Sequence, residues 1–83
     1  MPHRGVGFET IIASPYDYEE LVAEMYFDGK FIGQIIKEKG DDQMEIEFGD
    51  PEALPEAICR KADLDGFLVC VQTARDRLAG RMQ

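Results

Sequence analysis

The chain contains few of the residue types that carry out nucleophilic, redox or metal chemistry. Its single histidine is His3 and its single serine is Ser14, so no Ser-His-Asp or Cys-His arrangement is apparent. Cys59 and Cys70 stand apart, without a Cys-x-x-Cys pair or a neighbouring histidine, which is typical of two buried reduced thiols. The sequence therefore predicts a protein that is not an enzyme and has no cofactor.

The segment 41–52 superficially matches a calcium-binding loop. Oxygen-bearing side chains occupy its first, third, fifth and twelfth positions: Asp41, Gln43, Glu45 and Glu52. Such a loop requires glycine at its sixth position for a sharp turn, and Ile46 stands there instead. Strict alternation of apolar residues with glutamates over 44–48 indicates a strand. We therefore expect no metal site.

Carboxylates are the abundant chemical group of this sequence. The 83 residues include 17 Asp and Glu against 9 Lys and Arg, a net charge of −8. The acids concentrate in 1–56, whereas the bases slightly exceed the acids in 57–83. Such a surface repels phosphate backbones, so we predict a basic protein as the partner and no direct nucleic-acid binding. The simpler alternative is that the charge only maintains solubility.

Two exposed tyrosines interleaved with acids form a second candidate feature, the segment Tyr16-Asp17-Tyr18-Glu19-Glu20. This composition suits a loop that enters a basic cleft, since rings supply contact area and carboxylates supply orientation. The alternative is a turn whose tyrosines pack over the edge of a sheet.

The elements that must position these side chains follow from turn and periodicity signals. A strand is predicted over 8–13, ending at Ser14-Pro15, and a hairpin joins 21–27 to 30–38 through Asp28-Gly29, a type I′ turn. An uninterrupted two-residue hairpin would pair Tyr26 with Phe31. The same register would set these further pairs: Met25 with Ile32, Glu24 with Gly33, Val22 with Ile35, and Glu20 with Lys37.

That register assigns side chains to two faces of the sheet. The predicted core face contains Leu21, Ala23, Met25, Phe27, Ile32 and Ile36, with Gln34 as an exception. The other face contains Val22, Glu24, Tyr26, Phe31, Gly33 and Ile35. A further strand over 44–48 sends Met44, Ile46 and Phe48 inward. A short helical turn before Pro55 and a brief edge strand over 58–61 follow.

A helix is predicted after Asp63, its N-cap, with Gly80 as the terminating residue. Its apolar stripe has i, i+3, i+4, i+7 spacing and comprises Leu64, Phe67, Leu68, Val71, Ala74 and Leu78. Burying this stripe on the sheet is the main stabilising event expected, so Leu68→Ala should cost about 2 to 5 kcal/mol.

Together these elements predict an α+β fold: an antiparallel β-meander of four to five strands with one C-terminal helix packed on one face. Residues 1–7 are predicted to be a flexible leader and 8–83 a single domain. No apolar run approaches the roughly 20 residues of a membrane span and no secretory signal is apparent, so a cytoplasmic protein is expected. One helix covers one sheet face, which leaves the other for a partner or for a second copy.

The meander centred on Glu24-Met25-Tyr26-Phe27-Asp28-Gly29-Lys30-Phe31-Ile32, followed by Asp63-Leu64-Asp65-Gly66-Phe67 at the start of a helix, resembles small acidic immunity proteins of bacterial polymorphic toxin systems. The resemblance implies an antitoxin that binds a basic cognate toxin, such as a nuclease or deaminase, and blocks its active site. The alternative is a homodimeric structural or accessory subunit with a self-complementary sheet face. The predicted partner-binding residues are Tyr16, Asp17, Tyr18, Glu19, Glu20, Glu24, Tyr26, Phe31, Asp41, Asp42, Glu45 and Glu47.

Overall fold

The computed structural model describes residues 7–80, and within them the predicted α+β fold is confirmed. The elements in chain order are β1 (Phe8–Ala13), β2 (Val22–Phe27), β3 (Lys30–Ile36), β4 (Glu45–Phe48), a 3-10 turn (Pro55–Ala57) and α1 (Leu64–Leu78). The strands form one antiparallel sheet in the order β1-β2-β3-β4. No helix within 7–80 is long and apolar enough to cross a membrane.

The turn between β2 and β3 has the predicted type I′ conformation. Asp28 has φ 51° and Gly29 has φ 81°, the two left-handed positions that this turn requires. The Asp28 carboxylate also accepts a hydrogen bond of 2.7 Å from the backbone N–H of Gly7. The turn therefore anchors the chain just before β1, at the only residue of the predicted 1–7 leader that lies within the described range.

The predicted register of the hairpin is correct next to the turn and wrong beyond it. Tyr26 pairs with Phe31 as expected, but Met25 pairs with Gly33 because Ile32 is an extra, bulged residue. Gly33 lies so close to β4 that a Cβ there would overlap the backbone oxygen of Glu47. The bulge places Gly33 opposite β4, and because glycine has no side chain the two strands can lie close together there.

Because of the bulge, the side chains of β3 beyond Ile32 lie on the opposite faces from those predicted. Ile35, opposite Ala23, now faces the helix, whereas Gln34, opposite Glu24, points to the open face and is no longer an exception. Ile36 alternates with Ile35 and so lies on the opposite face, yet it is buried as predicted, and Val22 is buried on that face as well. Leu21, which precedes β2, is 46% exposed. The predicted pair of Glu20 with Lys37 does not form, because both residues lie outside the strands. The core cluster consists of Ala23, Met25, Ile35, Cys70, Ala74 and Leu78.

The ends of α1 are as predicted. The Asp63 carboxylate accepts a hydrogen bond of 2.8 Å from the N–H of Gly66, and Gly80 has φ 75° just beyond the helix. The ammonium group of Lys37 donates to the carbonyl oxygen of Leu78 at 3.1 Å, which ties the C-terminal end of the helix to the end of β3.

The buried stripe of α1 is rotated from the predicted one. Cys70, Ala74 and Leu78 are buried, whereas Leu64 and Leu68 are 68% and 56% exposed. The helix packs mainly over β1 and β2, where Gly66 admits the ring of Phe8. It therefore leaves the helix side of β4 uncovered, and the expectation that Leu68 is a core residue is wrong.

The connection from β4 to α1 differs from its prediction in two details. A hydrogen-bonded turn follows Asp50 as predicted, with the Asp50 carboxylate accepting from the N–H of Glu52 at 2.9 Å, but the 3-10 turn itself begins at Pro55, because proline suits the first position of a helix. In place of a strand over 58–61 there is one parallel bridge between Ile58 and Phe31, with the N–H of Cys59 donating to the Phe31 carbonyl at 2.8 Å. This bridge covers the part of β3 that the short β4 does not reach.

Candidate protein-binding site

The face of the sheet opposite α1 carries a cleft of about 570 Å³, here called the acidic cleft. Its carboxylates are Asp17, Glu24, Glu47, Asp50 and Glu52, and its aromatic residues are Tyr18, Tyr26, Phe31 and Phe48. No lysine or arginine of the described chain lines it. Strand alternation places Glu24 and Glu47 on this side, and the loops before β2 and after β4 bring the remaining acids to its rim.

A hydrogen-bonded network at one side of the cleft centres on Glu47. The hydroxyl of Tyr18 donates to Oε2 of Glu47 at 2.5 Å, and Nε2 of Gln34 donates to Oε1 at 2.8 Å. These two donors lower the pKa of Glu47, so the carboxylate stays ionised. The same bond, together with smaller contributions from desolvation and neighbouring carboxylates, raises the pKa of Tyr18 to about 12. Both groups are thereby held in one charge state near neutral pH.

A second polar pair lies beside this network. The hydroxyl of Tyr26 donates to Oε1 of Glu24 at 3.2 Å, and its ring meets that of Phe31 edge-on with centroids 5.4 Å apart. Burial, followed by the charge and hydrogen bond of Glu24, raises the pKa of Tyr26. The rings give the cleft a firm apolar floor, because both sit on paired residues of adjacent strands.

The loop that carries Tyr18 is held in place by another carboxylate. The side chain of Glu38 accepts hydrogen bonds from the backbone N–H groups of Glu20 at 2.7 Å and Glu19 at 3.3 Å. The sequence patterns did not single out Glu38, and they placed Gln34 on the core face of the sheet instead of at this site. One sequence signal pointed to the bulge: Gly33 lies within a strand and is followed by Gln34, a polar residue on the predicted apolar face. The bulge turns the Gln34 side chain into the cleft.

The structure divides the predicted partner-binding residues among three places. Six of them line the acidic cleft: Asp17, Tyr18, Glu24, Tyr26, Phe31 and Glu47. Tyr16 is fully exposed on the loop before β2, and Glu19 and Glu20 are exposed beside it without lining the cleft. Three others border a different surface: Asp41, Asp42 and Glu45.

That other surface is a groove of about 470 Å³ on the helix side of the sheet, here called the apolar groove. Its apolar lining comes from the strands and from one side of α1: Ile35, Met44, Ile46, Phe48, Phe67, Leu68 and Val71. Phe48, predicted to point inward, borders this groove and is 73% exposed because α1 does not extend over it. Arg75 is the basic residue that lines the groove.

Neither surface contains a group of residues suited to a metal ion. Across 7–80, no three His, Cys, Asp or Glu side chains are grouped closely enough to hold one. Ile46, at the position where a calcium loop needs glycine, is a β4 residue paired with Ile35. Cys59 and Cys70 are both free thiols, and Cys70 is the buried one.

Comparison with known proteins identified no relative of this chain. No family model matches the chain, and the searches of curated proteins and of solved structures return no significant match.

Proposed function

We propose that this chain is a non-enzymatic protein-binding module, most concretely an immunity protein that binds a basic toxin through the acidic cleft. The observation that carries the proposal is the lining of that cleft, which combines five carboxylates and four aromatic rings without a lysine or arginine. Aromatic rings supply the buried area of protein interfaces, and uniform charge steers a partner of opposite charge.

The hydrogen bonds within the cleft support this role. Tyr18, Glu47 and Gln34 hold one another in position before any partner arrives, so little side-chain entropy remains to be lost on binding. A toxin that acts on nucleic acid, such as a nuclease or deaminase, has a basic substrate cleft. A preorganised surface of carboxylates would occupy that cleft and exclude the phosphate backbone.

The same lining argues against a homodimer formed through this face. Two copies facing each other across their acidic clefts would bring carboxylates against carboxylates with no base from either lining. Like charges placed opposite each other oppose association. The open sheet face therefore favours a basic partner over a second copy.

A pull-down from the lysate of the source cells, with two charge-matched variants, tests the proposal. Asp17→Lys with Glu52→Lys reverses two exposed carboxylates of the cleft. Glu56→Lys with Asp65→Lys reverses two exposed carboxylates that line neither this cleft nor the apolar groove, and it changes the net charge equally. We expect the wild type and the second variant to retain one basic protein at equal stoichiometry, and the first variant to lose it.

The captured protein must also behave as a toxin. Expressed alone it should arrest growth, and co-expression of the wild type, but not of the variant with reversed cleft charges, should relieve the arrest. Equal retention by both variants, or a captured protein that is harmless when expressed alone, would contradict the proposal.

A further inference from the structure

The apolar groove is a surface of which the proposed function uses only Phe48. It lies on the opposite side of the sheet from the acidic cleft, between α1 and β4. Leu68 and Phe48 border it and are mostly exposed, and Leu64 extends the exposed stripe by one helical turn. Contiguous exposed apolar side chains of this kind mark an interaction surface.

The two sides of the groove carry opposite unpaired charges. On the strand side, Asp41 forms an ion pair with Lys37 at 3.6 Å and Glu45 forms one with Lys39 at 3.1 Å. Asp42 is left as the carboxylate without an ion pair within the described chain, and it is exposed. On the helix side, Arg75 is an exposed guanidinium that likewise has no ion pair among residues 7–80.

Both charges lie at the same end of the groove. Lys37 contacts both Asp41 and the Leu78 carbonyl oxygen at the C-terminal end of α1. The strand-side acids therefore lie beside the last turns of the helix, which include Arg75. Phe48, at the far end of β4, and Leu68, in the first half of α1, mark the other end. The groove therefore has a charged end and an apolar end, each with one contributor from the strand side and one from the helix side.

From this arrangement we propose that the apolar groove binds the same groove of a second copy of this chain. A two-fold axis along the groove keeps its ends together and exchanges its sides, so Arg75 of each copy meets Asp42 of the other. The same rotation places Phe48 of one copy against Leu68 of the other. The two apolar linings become a shared core, and the two unpaired charges of each copy become two intermolecular pairs.

This dimer does not depend on the proposed function, because it leaves the five carboxylates of the acidic cleft on the outside, and Phe48 is the one residue that lines both surfaces. It also suits a chain of this size, since small domains bury a limited share of their surface and gain stability from a second copy. The accessible surface of the described monomer is 6130 Å². A standard interface of about 800 Å² per partner would take a small part of it.

Sedimentation velocity over a wide range of protein concentrations tests the dimer, with two adjacent helix residues as a matched pair. Leu68→Glu places a charge in the groove, whereas Val69→Glu places it on an equally exposed neighbour, 66% exposed, that does not line the groove. We expect Leu68→Glu to raise the dimer dissociation constant at least about tenfold, because it would bury an unpaired carboxylate against Phe48 of the other copy. Val69→Glu should dimerise as the wild type does, and circular dichroism should show both variants folded.

A charge exchange tests the orientation of the two copies. Arg75→Glu alone and Asp42→Lys alone each set like charges against each other twice in the proposed dimer, so each should dissociate. An equimolar mixture of the two variants restores two opposite-charge pairs and should form a heterodimer. A wild type that stays monomeric at every concentration, equal effects of Leu68→Glu and Val69→Glu, or a mixture that stays monomeric would overturn the proposal. The pull-down of the acidic cleft is unaffected by any of these results, so the two proposals fail separately.

Discussion

The acidic cleft and the apolar groove lie on opposite sides of β3 and β4, yet their chemistry differs in almost every respect. The cleft contains carboxylates and tyrosines joined by hydrogen bonds, and the groove contains aliphatic and aromatic side chains with one unpaired charge of each sign. The comparison shows that a side chain on the helix side of the sheet is not necessarily buried. Because α1 packs over β1 and β2, the helix side of β4 is open as well.

The largest expected effect separates the buried side of α1 from the side that borders the groove. Leu78→Ala removes a buried side chain and should lower the free energy of unfolding by about 2 to 5 kcal/mol. Leu68→Ala, at a position that is mostly exposed, should cost less than about 1 kcal/mol in the monomer. Urea unfolding at low protein concentration measures both. Equal losses would mean that the helix covers the groove in solution.

A substitution at the bulge should damage both surfaces at once. Gly33→Ala forces a Cβ against the Glu47 backbone and should destabilise the protein by about 1 to 3 kcal/mol through overpacking. Faster amide hydrogen exchange should appear across the β3–β4 pairs while the β1–β2 pairs stay protected. Equally faster exchange in all four strands would contradict this prediction, because it would mean that the substitution destabilises the whole sheet and not only the β3–β4 pairing.

The pH dependence of stability should identify the Tyr18–Glu47 bond of the cleft. The lowered pKa of Glu47 stabilises the fold above its ordinary value of 4.5, and this contribution is lost as pH falls through the native pKa. The raised pKa of Tyr18 stabilises the fold below 10.0, and this contribution is lost as pH rises towards about 12. Tyr18→Phe should reduce both dependences, as followed by thermal unfolding across pH. The groove variant Leu68→Ala should leave them unchanged.

The smallest expected effect is a shift in one titration without a change of fold. Glu47→Gln removes the main cause of the raised pKa of Tyr18, which should move from about 12 towards its ordinary 10.0. A titration to alkaline pH that follows the absorbance of ionised tyrosine measures this shift in pKa. A titration curve that matches the wild type would mean that the hydroxyl does not bond to Glu47 in solution.

Local signals in the sequence predicted the elements well. β1 has the predicted bounds, the Asp28-Gly29 turn has the predicted type, and Asp63 caps α1. Each of these depends on residues within a few positions of one another, so short-range patterns contain the necessary information. Some of the predicted site residues lie together for the same reason, because Tyr26 and Phe31 flank that turn and alternation places Glu24 and Glu47 on one side of the sheet.

The errors that change the two surfaces involve contacts between distant parts of the chain. The bulge at Ile32 depends on how closely β4 approaches Gly33, and this approach is invisible in the hairpin alone. The exposure of Leu68 depends on where α1 lies across the sheet, which is set by Phe8 fitting over Gly66 and by the Arg77 guanidinium donating to the Thr10 carbonyl at 3.0 Å. Periodicity identifies an apolar stripe but not the part of it that meets a partner.

By itself, therefore, the sequence determined the elements, their caps and turns, the charge of the molecule and its α+β class, because these follow from local backbone preferences and composition. Only the tertiary structure decided which carboxylates share a cleft, which apolar residues remain exposed and where the register of β3 shifts. The physical reason is that packing selects one arrangement among several that satisfy the same local preferences, and it does so through contacts such as Gly33 with β4 and Gly66 with Phe8.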